Sequence, residues 1–427
     1  MLSRLDLRGT DADLSTALAR RAPDDPGRVE TVRQIVADVR ARGDLALREL
    51  TERFDGCRLD DIRVPEKEML AALDEAPTPL RAALDYARQE ITAYHEAQLT
   101  DGVRVERGGA VLQEVAVPVD RAGLYVPGGR AAYPSTVLMT AIPARVAGVP
   151  EIALCVPPDR DGRVPAPTLA AAALVGVDEV YRVGGAQAIA ALAYGTETIS
   201  PVDVIVGPGN VFVTLAKREV VGVVGIDGLA GPSELVVVAD GSAAPELAAA
   251  DLVAQAEHGP DGAAILVTWD ERVADAVDDA IAELAASAPR RSEIDATLAS
   301  GGRAVVVDDA GAAMAVANEI APEHLELMTA DPAELLPRVR NAGAVFCGPW
   351  SPAAVGDYVA GVNHVLPTAR SARFSSALRV DTFLKHIHVV TFDEAALARV
   401  APYVQALAEA EGLDAHWRSV ELRSAER

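Results

Sequence analysis

The sequence predicts an α/β protein with two doubly wound, Rossmann-like parallel-sheet domains, a small helical N-terminal arm and a C-terminal tail. Three observations lead there. Short Val- and Ile-rich runs alternate with helical, Ala- and Leu-rich stretches from Ile152 to Phe346, the rhythm of βα units. Half of the residues are hydrophobic but only 4% are aromatic, a composition suited to strands buried on both faces beneath helices. At 427 residues the chain exceeds one ordinary core, so two or three domains are expected.

Taken in order, Val29, Val32, Ile35, Val36 and Val39 recur at helical spacing; Gly43 is placed to end that helix and Asp44 to cap the next. A β-rich stretch runs from Val103 to Tyr125, with Val115, Val117 and Val119 alternating. Strands are then expected over Ile152–Val156, Glu179–Val183 and Val202–Val206, with helices over Thr168–Leu174 and Gln187–Tyr194 and glycine turns at Gly184-Gly185 and Gly207-Pro208-Gly209. A Gly-rich bridge over Val220–Gly231 separates these from strands expected over Leu235–Val238, Ala264–Val267, Ala304–Val307 and Ala344–Phe346. Helices over Pro245–Glu257 and Glu271–Ala286 fit between them. The end of the chain offers a strand around Ile387–Val390 and a helix over Glu394–Ala410. Such a segment is too small to bury a core of its own, so it should pack on the body or on a second subunit.

Composition removes several function classes. No apolar run reaches the roughly 18 residues of a membrane span, and no basic-then-apolar start marks a signal peptide, so a cytoplasmic protein is expected. A net charge of −24 speaks against a nucleic-acid partner, which is bound through clustered Lys and Arg. The only lysines are Lys67, Lys217 and Lys385; none follows a glycine and precedes Ser or Thr, which excludes a Walker-type phosphate loop. Cys57, Cys155 and Cys347 are too few and too scattered for a disulfide framework or a Cys-rich zinc cage.

Four segments carry side chains suited to chemistry. In Asp251–Pro260, Gln255 and His258 stand three apart and share a helix face, where they could reach one ion; zinc takes His nitrogen readily and Gln oxygen less often. The plainer reading is that His258 caps the helix before Gly259. In Asn318–Leu327, Glu323 and His324 are adjacent behind Pro322, a pair able to share proton transfer, or else a surface dipeptide on a strand. Asp357 offers an oxygen for a metal and His364 a substrate contact, although both could be ordinary loop residues. His416, in the tail, should be solvated unless a partner subunit orders it. His386 and His388 read as edge-strand surface residues, and His95 as a helix-surface residue. Neither Gly123–Gly129 nor Gly207–Asn210 matches the Gly-x-Gly-x-x-Gly fingerprint, and Cys155 reads as a small buried hydrophobe.

In this order the segments resemble histidinol dehydrogenase over nearly the whole chain: Gly123-Leu-Tyr125-Val-Pro-Gly-Gly129, Val183-Gly-Gly-Ala-Gln187, Gly207-Pro-Gly-Asn210, Ala230-Gly-Pro-Ser233-Glu, Gln255-Ala-Glu-His258, Ala321-Pro-Glu323-His324-Leu, Gly356-Asp357-Tyr358, Asn363-His364-Val-Leu-Pro-Thr and Glu411-Gly-Leu-Asp-Ala-His416. The resemblance implies zinc held by Gln255, His258, Asp357 and His416, the last from the other subunit of an intertwined homodimer. It implies Glu323 and His324 as the acid–base pair, NAD contacts at Tyr125, Gln187 and Asn210, and substrate contacts at Ser233, His364 and Glu411, with Gln255, His258, His324, Asp357 and His416 also facing the substrate. The implied reaction takes L-histidinol to L-histidine with two NAD, through a bound aldehyde. The organisation expected with it is an N-terminal arm over 1–22, a first α/β domain over 23–126 and 234–373, a second over 127–233, and a dimerisation tail over 374–427. Competing readings are a related zinc/NAD dehydrogenase of another small amino or polyol alcohol, a zinc hydrolase with a Glu base, and a non-catalytic binding protein. Retention of Glu411 and His416 speaks against the first, and Glu323 beside His324 against the last.

Overall fold

The computed structural model describes residues 1–10, 13–18, 25–128, 131–259 and 261–424. Gly129, Pro260 and part of the N-terminal arm, all used in the sequence reading, lie outside the described residues. The chain forms two compact units, one of Met1–Gln98 with Asp120–Phe383, the other of Leu99–Val119 with the segment from Leu384 onward.

The first unit holds two parallel sheets. The six-stranded sheet runs in the order Ser3–Asp6, Gly302–Val306, Ala263–Thr268, Glu234–Ala239, His324–Met328, Ala344–Cys347. Alternation of side chains along a strand explains how it takes helices on both faces. Leu235, Val237 and Ala239 join one apolar cluster with Ala248, Leu252 and Val277, whereas Val236 and Val238 join another with Ala313, Val316 and Ala317. The five-stranded sheet has the order Glu179–Tyr181, Glu151–Cys155, Arg121–Tyr125, Val204–Val206, Gly225–Ile226, also parallel. In both sheets the chain winds outward from a central strand and then returns to that strand's other side. The reversal points lie between Glu234–Ala239 and His324–Met328, and between Arg121–Tyr125 and Val204–Val206; doubly wound folds place ligands at the carboxyl ends of such strands.

The sequence expectation of two doubly wound sheets is met, with three differences. The N-terminal arm begins as a strand, Ser3–Asp6, and among its described residues Leu14–Ala17 is the helical part. Its alternation is the cause: Leu2 enters one apolar cluster while Leu5 and Leu7 pack on the opposite one. Next, the β-rich stretch divides between units. Arg104–Arg107 and Ala110–Pro118 belong to the second unit, whereas Arg121–Tyr125 is the centre of the five-stranded sheet. The helices Pro26–Arg42 and Asp44–Asp55 share that sheet's apolar cluster, through Val32, Val39 and Leu47 with Ala188 and Ile189, rather than joining the six-stranded sheet. Gly43 does end the first of these helices, at φ 53°, but Asp44 begins the next from inside it and accepts hydrogen bonds from Thr198.

His95 departs from its expected place on a helix surface. It is wholly buried, with Nδ1 2.7 Å from the Ile91 carbonyl and Nε2 3.3 Å from the Asn363 amide. It lies on the buried face of its helix with Leu84, Ala87 and Ile91; its polarity suggested otherwise. Cys155 is the buried hydrophobe expected, its thiol pushed up to about 12 by burial.

The second unit is a three-stranded antiparallel sheet ordered Leu384–Phe392, Ala110–Pro118, Arg104–Arg107, followed by the helices Glu394–Glu411 and Asp414–Ser424. Gly412, at φ 69°, ends the first helix in the left-handed conformation that glycine adopts without strain. His386 and His388 lie on an edge strand as expected, both beside Glu114. Among the described residues no helix is long and apolar enough to cross a membrane.

Candidate active site

At the amino edge of the six-stranded sheet, its two reversal strands bring distant residues together. Ala321 ends the helix Ala310–Ile320 at φ 51°, a left-handed corner that a non-glycine residue holds only when its surroundings demand it. Glu323 and His324 follow, at the start of the strand His324–Met328. Glu323 Oε2 accepts Ser233 Oγ at 2.6 Å and the Glu234 backbone N–H at 3.0 Å. The His324 ring has Nδ1 3.6 Å from Glu323 Oε2 and Nε2 3.5 Å from Asp357 Oδ1, both beyond ordinary hydrogen-bond length. Neither ring nitrogen has a hydrogen-bond partner, although the residue is only 5% exposed. A buried imidazole poised between two carboxylates can move protons.

The electrostatics agree with that arrangement. Burial raises the Glu323 carboxyl above its ordinary range, against the pull of His324 and the hydrogen bonds from Ser233 and Glu234. Burial alone would lower the His324 pKa, but Glu323 and Asp357 outweigh it and raise it to about 9. Asp357 is lowered despite its burial, because the His324 ring stands 3.5 Å away and other histidines lie near. A folded pKa above the ordinary 6.5 means that the charged ring stabilises the fold fully below pH 6.5 and loses that contribution as pH rises through about 9. Urea unfolding of the metal-free protein should therefore show stability falling across that window, and His324→Gln should remove the fall. An unchanged slope in the variant would contradict the assignment.

Around this pair, Gln255 is buried near the end of the helix Pro245–Ala256; its Oε1 lies 3.2 Å from Ser233 Oγ and its Nε2 has no partner. His258 is exposed, with Nδ1 3.3 Å from the Gln255 carbonyl, so the capping role expected of it is real. Asp357 ends near the close of the short helix Ala353–Tyr358. His364 has Nδ1 2.9 Å from the Asp357 carbonyl and Nε2 3.3 Å from Thr136 Oγ1, and burial lowers its pKa. Among the described residues no group of three or more His, Cys, Asp or Glu is arranged to hold a metal. The implied set supplies only two such groups from this region, His258 and Asp357, together with the Gln255 amide. An imidazole, a carboxylate and an amide still fit zinc with positions left open. The partnerless atom of Gln255 is Nε2, a donor; turning the amide over would aim its oxygen into the site and let Nε2 donate to Ser233 Oγ, the orientation a metal requires.

The carboxyl edge of the five-stranded sheet forms a second subsite at its reversal point. Gly207 follows Val204–Val206 at φ 116°, and a Cβ there would run into the Tyr125 carbonyl. Lys217 is only 2% exposed; its Nζ donates to the Gly207 carbonyl and to Asp227 Oδ1, each at 2.6 Å, while Asp227 Oδ2 accepts the Gly207 N–H at 2.7 Å. The turn is clamped from behind. Asn210 then caps the helix Val211–Val220, its Oδ1 accepting from Phe212 and Val213 N–H. Two helix N-termini, at Gly185 and Val211, lie along this edge, a setting that favours phosphate. Tyr125 and Gln187 are buried, and the Tyr125 hydroxyl accepts the Gly185 N–H at 3.1 Å. Of the three implied NAD contacts, only Asn210 is exposed.

A cleft of about 190 Å³ joins the two subsites, lined by Asn210, Ser233 and His258. A larger one of about 490 Å³, lined by Leu84, Tyr133, Glu257, His258 and Tyr358, opens on the other side of His258. Glu411 and His416 lie exposed on the second unit. Sequence reading missed Thr136, Lys217, Asp227 and Phe346, whose ring stands 6.0 Å from that of His324. Lys217 carried a signal, as one of so few lysines within ten residues of a glycine turn; the others resembled filler.

Known proteins match this chain along its length. The family model for histidinol dehydrogenase covers residues 18–424. The histidinol dehydrogenase of Thermobifida fusca (strain YX) is 51% identical over 99% of this chain and 98% of its own. That of Parasynechococcus marenigrum (strain WH8102) is 51% identical over 93% and 90%. The crystal structure of histidinol dehydrogenase from Elizabethkingia anophelis superposes with a TM-score of 0.95 at 36% identity, covering 99% of this chain and 98% of that one.

Proposed function

The chain belongs to the histidinol dehydrogenase family, and on that premise we propose that it oxidises L-histidinol to L-histidine in two successive NAD-linked steps, through L-histidinal that stays bound. One observation carries the reading: buried Glu323, beside His324, accepts from the same Ser233 that lines a cleft with Asn210. Proton-handling groups thus adjoin the dinucleotide turn. NAD would bind at the carboxyl edge of the five-stranded sheet and supply the hydride acceptor, and Gln255, His258, Asp357 and His416 of the partner subunit would hold a zinc ion suited to orienting the substrate's imidazole and amine.

His324, once it has released its own proton, accepts the hydroxyl proton as hydride leaves the alcohol carbon. Glu323, kept in place by Ser233 and Glu234, then takes a proton from water as that water adds to the aldehyde carbon. His324 and Glu323 pass these protons to solvent, and His324 accepts a proton again when the hydrate gives up its hydride to a second NAD. Ser233, His364 and the tail's Glu411 hold the substrate, and Thr136 fixes the His364 ring. A homodimer is supported by the second unit, where Val390, Tyr403, Leu407 and Leu422 stand exposed, apolar surface of the kind that partners cover.

The test is stoichiometric: NADH formed per L-histidinol consumed, before and after treatment with a chelator. We expect two NADH, loss of turnover on metal removal and recovery with zinc. A single NADH with free aldehyde accumulating would rule out the two-step reading, and activity indifferent to the chelator would rule out the metal.

A further inference from the structure

We propose that Glu326 is a positioning residue which, together with Asp251, ties the strand carrying His324 to the two helices carrying Gln255 and Asp357. The inference rests on the function proposed above for what those residues do, but not for where they are. His324 and Glu326 are two apart on one strand, so their side chains leave the same face of the sheet. Glu326 is 1% exposed, and its Oε1 accepts the Ala353 N–H at 2.8 Å. Ala353 opens the helix Ala353–Tyr358, on which Asp357 lies one turn further along. The other oxygen of the Glu326 carboxyl, Oε2, is buried with no hydrogen-bond partner, and the neighbouring group that acts on it most strongly is the Asp251 carboxyl. Asp251 lies four residues before Gln255 on the helix Pro245–Ala256, hence on the same helix face.

A buried carboxyl facing another carboxyl is not a packing choice. The Ala353 N–H and His324 also act on this pair, and among the described residues no Lys or Arg forms an ion pair with either carboxyl. Two carboxylates in such a place cannot both ionise, so one proton is shared between them. Glu326 then accepts from Ala353 with one oxygen and donates its proton to Asp251 with the other. A single neutral acid spans strand and both helices. A leucine of similar size would fill the space, but it would release Ala353 and leave Asp251 without its partner.

The test compares wild type with Glu326→Gln, Glu326→Leu and Asp251→Ala. Zinc affinity is measured by competition with a chromogenic chelator, and KM and kcat for L-histidinol separately. Gln reproduces the neutral acid, with an acceptor for Ala353 and an N–H for Asp251, so it should hold zinc affinity and kcat close to wild type. Glu326→Leu and Asp251→Ala should weaken zinc by about 10–100-fold, the size seen when an outer partner of a metal ligand is removed. Wild-type affinity in both of these variants would overturn the proposal, and so would an equal loss in Glu326→Gln. If Glu326→Leu does not fold, Asp251→Ala and Glu326→Gln decide the matter. The shared proton is read without metal or substrate, as the infrared C=O stretch of a protonated carboxyl at neutral pH. We expect it in wild type and not in Glu326→Gln; its absence from wild type would overturn the proposal. A wild type that binds zinc yet forms no NADH from L-histidinol would refute the proposed substrate while leaving these comparisons intact.

Discussion

Glu323→Gln should lower the steady-state oxidation of L-histidinol to L-histidine by about 10²–10⁴-fold, the usual contribution of a positioned general base, while leaving the chain folded. The amide oxygen can still accept from Ser233 Oγ and the Glu234 N–H, the two bonds that hold the carboxylate now. What the amide cannot do is accept a proton from water. The first hydride transfer uses His324, so a single turnover of the variant should yield about one NADH per site and stop with aldehyde bound. Supplying L-histidinal directly should not help, because its hydration is the blocked step. If the variant completes both oxidations at wild-type rate, Glu323 is not the base. If it fails to make even the first NADH, the two residues do not divide the work as assigned, and the pair acts only as a unit.

The residues on which this prediction depends were unequally visible in the sequence. Adjacency of Glu323 and His324 was legible directly, but the strand that delivers them, His324–Met328, has Glu326 between Leu325 and Leu327 and so lacks the unbroken apolar run that marked its neighbours; it entered only as a setting for a surface dipeptide. The corner at Ala321 that places them at the sheet's edge carried no mark except Pro322, since alanine ordinarily avoids that conformation. Ser233 could be suspected only from the family resemblance; its bond to Glu323 crosses 90 residues of chain, and no local pattern encodes that. Assignment of Arg121–Tyr125 failed for a related reason: β-propensity says that a segment is extended, but not which sheet it joins. His95 and Glu326 were misjudged or passed over because polarity usually means surface. Each is buried by a tertiary partner, Asn363 for one and Ala353 with Asp251 for the other.

The tail sets the sharper trial, because His416 is exposed on its own chain and is proposed to act in the partner's site. His416→Ala alone should lose nearly all turnover, with zinc bound about 10–100-fold more weakly, the range measured for disturbed metal shells. Mixing it with Glu323→Gln separates the alternatives. In a two-fold symmetric dimer whose sites are shared, the mixed species has one site that lacks both groups and one that is complete. Random assortment of equal amounts then restores about a quarter of wild-type activity, since about half of the dimers are mixed and each has one good site. If His416 instead served its own chain's site, every site in the mixture would lack one group and nothing would be restored. Native mass spectrometry can verify that mixed dimers formed. With that established, a mixture as inactive as its parents would exclude sharing, and the exposed apolar residues of the second unit would need another explanation.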